Sequence, residues 1–211
     1  MQIRSLERID STQRYLIDQL KNGELKAPFA VTAVEQHSGR GSRENGWTGL
    51  KGNLFLSFSY PRALLPDDLK LESASLYFTY LLKETLSEAG SKVWLKWPND
   101  LYIDDKKIGG AITNLVADDL VYGVGLNLKA APEGFGTLDI DIGQDLLLKR
   151  YFEKLKKCDS WKLVFRKYAL EFDKNRTYYT HYFKQRVALE KAILLSDGSI
   201  EYEGQRMFSL R

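Results

Sequence analysis

Apolar residues recur at helical spacing in some stretches of this chain and alternate with polar residues in others. The helical spacing that follows Ser11, a residue that caps helices, predicts an α-helix over residues 12–22. A broader apolar face predicts the main core helix over residues 66–89, and Gly90 ends it. Strand-forming residues then define further predicted strands at 29–35, 53–59, 93–97, 101–103, 107–116 and 120–128.

The pattern changes near residue 184, where helical spacing gives way to short alternating segments. Before this point the pattern predicts helices at 145–156 and 160–183. After it, the pattern predicts strands at 187–195, 199–202 and 206–210. The order of elements predicts an α/β (α+β) fold, in which helices flank a mixed β-sheet and a small β-module follows. We therefore divide the chain into a main domain, residues 1–184, and a short C-terminal β-module, residues 185–211.

Composition excludes several classes of protein. Hydrophobic residues make up 44% and charged residues 28% of the 211 positions, as in ordinary globular proteins, and no apolar run approaches the ~20 residues of a membrane span. The net charge of +3 is too small to indicate binding to a polynucleotide. Because Cys158 is the single cysteine and the first residues lack a secretion signal, we expect a cytoplasmic protein with neither a membrane nor DNA as partner.

The segment KWPND, residues 96–100, combines a cation, an aromatic ring, a rigid turn and a carboxylate at the end of an apolar run. Such a combination suits a site that handles phosphate. Lys96 needs a partner or a ligand if its side chain faces the core, and is simply exposed if it faces outward. Asp100 is a candidate ligand for Mg²⁺, with turn capping as the alternative.

Glycines mark three further segments. Arg40 lies between Gly39 and Gly41, where the backbone can approach a ligand and a guanidinium can bind phosphate, although such a loop is as often a solvated hairpin. Glycines inside the strands at 107–116 and 120–128 indicate either a ligand lying across the sheet or a β-bulge. Together with the KWPND segment, these glycines predict a sheet face that carries a ligand.

The histidines and the cysteine offer weaker chemistry. Neither His37 nor His181 has the spacing of a metal site, so we expect no zinc centre. Cys158 has lysines nearby but no histidine that could pair with it, so we do not expect a thiol nucleophile.

The chain contains four motifs in this order: GRGSRENGW at 39–47, KWPND at 96–100, KIGGAI at 107–112 and GVGLN at 123–127. In this order they resemble the catalytic domain of the biotin protein ligases, over roughly residues 10–128. The resemblance implies a fold similar to class II aminoacyl-tRNA synthetases and lipoate ligases, followed by an SH3-like β-domain. It also implies that biotin and ATP form biotinyl-5′-AMP with Mg²⁺, and that a lysine of a biotin carboxyl carrier protein then accepts biotin.

The resemblance also implies roles for single residues. Catalysis is assigned to Lys96 and Arg40, which would offset the charge of the reacting phosphate. The residues implied to bind biotin are Ser11, Thr12, Gln13, Gln36, Gly39, Arg40, Lys96, Gly109 and Gly110. The residues implied to bind ATP or the adenylate are Arg40, Arg43, Trp47, Lys96, Asn99, Lys107 and Asn127.

The chain departs from the family pattern in two ways. Ser42, Glu44 and Asn45 stand where further basic residues are usual, which predicts a looser loop over the intermediate. The residues before Ser11 are too few for a helix-turn-helix, and the final β-module is short, so we expect no repressor activity.

Other interpretations stay open at this point. A lipoate or octanoate ligase shares the fold and the acyl-adenylate chemistry, and a non-catalytic biotin- or nucleotide-binding module would need only the glycine-lined pocket. The strands within residues 107–128 also offer edges that would pair in a homodimer.

Overall fold

The computed structural model describes residues 1–41, 46–182 and 185–208, and residue 40 only through its backbone. The predicted roles of Arg43 and of the Arg40 side chain, and the departures at residues 42, 44 and 45, therefore lie outside the described part of the chain.

A seven-stranded mixed sheet forms the centre of the described structure, with the strand order β1-β2-β5-β9-β8-β7-β6. Its strands are β1 (Gln2–Ile9), β2 (Phe29–Gln36), β5 (Leu54–Pro61), β6 (Trp94–Lys96), β7 (Asp100–Ile103), β8 (Lys106–Val116) and β9 (Asp119–Leu126). Strand β1 runs parallel to β2, and every other neighbouring pair in this sheet is antiparallel. The prediction of a mixed sheet flanked by helices is confirmed.

Within the described residues, the helices are α1 (Thr12–Lys21), α2 (Ala74–Glu88), α3 (Gln144–Lys157) and α4 (Trp161–Glu171). Helix α2 is buried on most of its surface, and α3 and α4 both pack against it. Its Phe78 lies edge-on to Phe58 of β5, with ring centroids 5.3 Å apart, and both rings are close to Tyr122 of β9. This aromatic group joins the helical layer to the sheet.

The remaining described strands are short: β3 (Gly39–Arg40), β4 (Gly46–Trp47), β10 (Tyr179–Tyr182), β11 (Gln185–Ala188), β12 (Ile193–Leu194), β13 (Ile200–Tyr202) and β14 (Gln205–Met207). Small C-terminal sheets are thus present. Val187, Leu189, Ile200 and Met207 belong to the same hydrophobic cluster as the main sheet and α2. The C-terminal strands therefore share the core of the preceding residues, and the domain division at residue 184 stays a prediction.

Two predicted helices are too long. The helix expected over 66–89 begins only at Ala74. The carboxylate of Asp68 instead accepts hydrogen bonds from the backbone N–H groups of Trp161 and Lys162, in the first turn of α4. The helix expected over 160–183 ends at Glu171. Asn175 donates to the carbonyl of Phe172 and accepts from the backbone N–H of Trp97. The chain then continues as strand β10.

The sheet edges also differ from expectation. Strand β1 was missed, because its side chains are mostly exposed and show no alternation, and its place is set by backbone pairing with β2. Strands β8 and β9, which were expected to offer an edge for a homodimer, each have neighbours on both sides. The basis for that dimer prediction is therefore wrong, and the edges of this sheet are β1 and β6.

Across the residues with described positions, no helix combines the length and the apolar character needed to cross a membrane.

Candidate functional site

A pocket opens on the sheet at β8 and β9, next to the N-terminal end of α1 and to the hairpin of β3 and β4. It contains about 470 Å³ of atom-free space, part of it open to solvent. The residues that line it are Ser11, Thr12, Gln13, Gln36, Gly41, Trp47, Ser57, Asp100, Lys107, Gly110, Ala111, Ile112, Gly123, Val124 and Gly125. The fold thus brings together eight of the predicted site residues, from four separate parts of the chain.

The first turn of α1 forms the polar wall of the pocket. Ser11 caps the helix by accepting a hydrogen bond from the backbone N–H of Arg14 at 3.4 Å. Thr12 donates its backbone N–H and its hydroxyl to Oε1 of Gln36, at 2.9 and 3.2 Å. The hydroxyls of Thr12 and Ser57 lie 2.9 Å apart. These bonds hold buried polar groups of α1, β2 and β5 in one fixed cluster.

Gln13 presents a free acceptor to the pocket. Its Nε2 donates to Oδ1 of Asn114 at 3.1 Å and to the carbonyl of Val121 at 2.9 Å. Its Oε1 is buried and has no hydrogen-bond partner among the described atoms. A buried acceptor without a partner is costly, and a ligand that donates an N–H there would remove that cost.

The glycines of β9 make room for side chains of this chain. A Cβ at Gly123 would lie 2.3 Å from Oε1 of Gln13, and a Cβ at Gly125 would lie 2.4 Å from the indole of Trp47. From the sequence, glycines in these strands indicated either a ligand lying across the sheet or a β-bulge. The structure places the side chains of Gln13 and Trp47 against Gly123 and Gly125. The indole Nε1 of Trp47 is buried and, within residues 1–41, 46–182 and 185–208, finds no hydrogen-bond acceptor.

Two lysines flank Asp100 at the pocket. Lys107 Nζ donates to Oδ1 of Asp100 at 2.6 Å, and Lys96 Nζ lies 3.6 Å from Oδ2. Burial by itself raises the pKa of Asp100, but the two ammonium groups outweigh it and hold the pKa below its ordinary value. A Cβ at Gly110 would lie 3.1 Å from both Asp100 Oδ1 and Lys107 Nζ, so glycine at this position leaves room for the ion pair.

Lys107 and Lys96 have different positions relative to the pocket. Lys107 lines it, whereas Lys96 does not. Lys96 is only 8% exposed and its Nζ lies over the ring of Tyr102, 5.5 Å from the centroid. Of these two lysines, Lys107 is therefore the one with direct access to a bound ligand, and the catalytic role of Lys96 stays a prediction.

Three other predicted residues do not line the pocket. Asn99 donates its Nδ2 to the carbonyl of Ala111, and Gly109 faces Leu101 and Leu126 in the core. Gly39 lies close to Gln36 and Trp47.

Asn127 is held within the protein by both faces of its amide. Its Oδ1 accepts from Asn53 at 3.3 Å, and its Nδ2 donates to the carbonyl of Gly136 at 3.1 Å. Asn53 in turn accepts from the backbone N–H groups of Leu128, Lys129 and Ala130. This geometry gives Asn127 a role in holding the loop after β9, and its predicted contact with adenine remains to be tested.

Comparison with known proteins identifies the family. A profile of the biotin/lipoate A/B protein ligase family matches residues 5–130, more than half of the chain. The chain belongs to this family.

Solved ligases share the whole architecture. Biotin acetyl coenzyme A carboxylase synthetase from Helicobacter pylori, solved with bound biotinylated ATP, has a TM-score of 0.94 and 39% identity, covering 98% of this chain and 99% of that one. Biotin protein ligase from Aquifex aeolicus, solved with biotin and ATP, has a TM-score of 0.74 and 26% identity, covering 100% and 98%.

Curated relatives match over a shorter region. The bifunctional ligase/repressor BirA of Escherichia coli (strain K12) is 38% identical over 127 residues, which are 57% of this chain and 38% of that protein. The matched region thus covers well under half the length of that relative.

Several pocket residues of this family member were not predicted from the sequence. Ser57 interrupts an apolar strand with a polar residue, a signal that points to a function, whereas Ala111, Ile112 and Val124 carry no such signal. Their place in the pocket follows from the register of β8 against β9, in which Ala111 is paired with Val124.

The residues around Asp100 do not fit a resident Mg²⁺ ion. Both carboxylate oxygens face ammonium groups, and the part of the chain that the structure describes holds no group of three or more His, Cys, Asp or Glu side chains suited to a metal. We derive no catalytic step from a metal bound at this position.

The ion pairs of Asp100 predict a dependence of stability on pH. Because the pKa of Asp100 is lower in the folded protein than the ~3.9 of an unfolded chain, its ionised form stabilises the fold above that pH. This contribution is lost as pH falls below about 4 towards the folded pKa. We expect Asp100→Asn to melt at a lower temperature than the parent protein at pH 7. Between about pH 5 and pH 3, its melting temperature should fall less steeply than that of the parent.

A matched control is available on the surface. The Lys129–Asp141 pair is exposed, with 86% of the Asp141 side chain accessible, so Asp141→Asn should change little at either pH. Melting curves that respond equally to both substitutions would contradict a special role for the Asp100 ion pairs.

Proposed function

We propose that this protein is an ATP-dependent biotin protein ligase, which forms biotinyl-5′-AMP and transfers biotin to a lysine of a biotin carboxyl carrier protein. The observation that carries the proposal is the combination, in one pocket, of a buried unpaired acceptor at Gln13 and a cation at Lys107. The complexes of the Helicobacter pylori and Aquifex aeolicus proteins with biotinylated ATP and with biotin and ATP support it.

The wall formed by α1 suits the ureido ring of biotin. This ring carries N–H donors and a carbonyl acceptor, which match the free Oε1 of Gln13 and the hydroxyls of Ser11 and Thr12. Because these groups are already ordered by their own hydrogen bonds, little conformational entropy remains to be lost on binding.

Lys107 suits the reacting end of the substrates. In the first step a carboxylate oxygen of biotin attacks the α-phosphorus of ATP, a phosphorus–oxygen bond breaks and pyrophosphate leaves. Both reactants are anionic, so a cation at the pocket offsets their repulsion and stabilises the charge that develops in the transition state. In the second step the neutral amine of the carrier lysine attacks the acyl carbonyl, and AMP leaves with the electron pair of the broken carbon–oxygen bond. The nitrogen gives up one proton to solvent as the amide forms.

Other parts of the proposal rest on chemistry alone. Arg40 would contribute a second cation from β3, and Mg²⁺ would enter as the counter-ion of ATP. We further propose a cytoplasmic location, where ATP and acceptor carboxylases are found.

The decisive experiment incubates the protein with biotin, MgATP and a biotin carboxyl carrier domain, and follows the intact mass of the carrier. We expect a gain of one biotinyl group, and no gain with a carrier whose acceptor lysine is replaced by arginine. Replacing biotin by lipoate or octanoate tests the other acyl substrates of this fold. Modification with lipoate but not with biotin would overturn the proposed substrate, and binding of biotin without pyrophosphate release would indicate a non-catalytic module.

A further inference from the structure

The indole of Trp97, in the turn between β6 and β7, is held by a loop near the C-terminus. Trp97 is fully buried, and its Nε1 donates to the carbonyl of Gly198 at 2.8 Å. Its backbone N–H donates to Oδ1 of Asn175 at 2.7 Å. Trp97 directly follows Lys96 and lies three residues before Asp100, so the conformation of this turn sets where both charged groups point.

The two preceding carbonyls of the same loop, residues 196–199, also accept hydrogen bonds from side chains. The indole Nε1 of Trp161, at the start of α4, donates to the carbonyl of Ser196 at 2.9 Å. The hydroxyl of Ser73, just before α2, donates to the carbonyl of Asp197. Three successive carbonyls are thus bound to three separate elements.

The carboxylate of Asp197 holds the loop from within. Asp197 is 7% exposed and accepts from the backbone N–H and the hydroxyl of Ser199, at 3.2 and 2.5 Å. It also accepts from the guanidinium of Arg206, and Lys70 Nζ lies 3.6 Å away. Asp197 precedes Gly198, and its carboxylate binds Ser199, which follows Gly198. This bridge across Gly198 fixes the direction of the Gly198 carbonyl.

Close packing leaves this loop little freedom. Gly198 has a φ of +78°, and a Cβ there would lie 2.8 Å from Leu76 of α2 and 2.9 Å from the ring of Trp161. The loop is therefore a rigid support for the turn that it contacts.

We propose that Asp197 is a positioning residue for the ligase reaction, acting through the Gly198 carbonyl on Trp97 and thereby on the ion pairs of Asp100 with Lys96 and Lys107. The inference rests on the proposed ligase function. Since small misplacements of charged groups cost about 100-fold in rate for roughly 1 Å, a shift of this turn should slow adenylate formation. Binding of biotin by α1 should be little affected, because the loop makes none of the contacts there.

A double-mutant cycle tests the coupling by biotin-dependent exchange of pyrophosphate into ATP. Trp97→Phe removes the indole donor, and Asp197→Asn weakens the support of the loop. We expect each to lower kcat about tenfold with the KM for biotin unchanged, and the double variant to be no slower than the slower single variant. Two effects that multiply, or a loss of stability at unchanged kcat, would overturn the proposal.

Trp161→Phe is the matched control, since it removes the same kind of hydrogen bond from the same loop without touching the turn. We expect it to lower the melting temperature and leave kcat within about twofold, an energy below about 0.5 kcal/mol. A loss of kcat equal to that of Trp97→Phe would show that general packing of the loop matters and not this hydrogen bond.

A second measurement does not depend on activity. The backbone amide of Ala111, a pocket residue, donates to the carbonyl of Asn99 in the turn at 3.0 Å. Asp197→Asn should shift the ¹⁵N resonance of Ala111 without substrates present, and Trp161→Phe should leave it in place. An unshifted resonance in Asp197→Asn would contradict the coupling, whereas a parent protein without exchange activity but with this shift would contradict only the ligase function.

Discussion

Replacing Lys107 by alanine is expected to lower the rate of biotinyl-5′-AMP formation by about 100- to 1,000-fold, the range found when one preorganised donor to a developing charge is removed. Lys107 is the described lysine that lines the pocket, and its ammonium is held by Asp100 at 2.6 Å. The measurement is biotin-dependent exchange of pyrophosphate into ATP. The KM for biotin should change much less than kcat, because the wall formed by α1 is untouched.

Lys106→Ala is the natural control for this substitution. Lys106 is the preceding residue of the same strand and is exposed, so its replacement changes the net charge equally without altering the pocket. An equal loss of rate in both variants would indicate a general effect of charge and would contradict the role of Lys107. Lys96→Ala, compared with both, tests whether the buried lysine contributes to catalysis directly or only through Asp100.

Replacing Gly123 by alanine is expected to weaken biotin binding. The added methyl group would lie 2.3 Å from Oε1 of Gln13 and 3.1 Å from the hydroxyl of Ser57. Gln13 cannot move away without losing its bonds to Asn114 and Val121. Overpacking of this kind costs about 1–3 kcal/mol, and the same energy lost from binding would raise Kd by about 5- to 150-fold. Isothermal titration with biotin measures it.

A second glycine supplies the comparison. Gly143 precedes α3, has a φ of −67°, and a Cβ there would have no atom within 4 Å. Gly143→Ala should therefore bind biotin as the parent does. Unchanged affinity in Gly123→Ala would show that Gln13 does not contact biotin, and would remove the main support for its proposed role.

Local patterns predicted those elements whose side chains alternate or recur regularly. The helix after Ser11 begins and ends within one residue of its predicted bounds, because its cap and its apolar spacing are both local signals. Strands β8 and β9 likewise match to within two residues. Strand β1, the start of α2 and the end of α4 could not be predicted. Pairing with β2 sets the first, and contacts of Asp68 and Asn175 with distant residues set the other two.

The sequence by itself predicted where the candidate site lies, since four motifs occur in the order that resembles the ligase family. Only the tertiary structure decided where each side chain of these motifs lies. It put Lys107 at the pocket and Lys96 behind it, placed Gln13 and Trp47 against the glycines of β9, and gave Asn127 partners within the protein. The physical reason is that motifs specify residue types and backbone freedom locally. The direction of a side chain depends on strand register and on partners that lie far away along the chain, such as Gln13 and Val121, which are 108 positions apart.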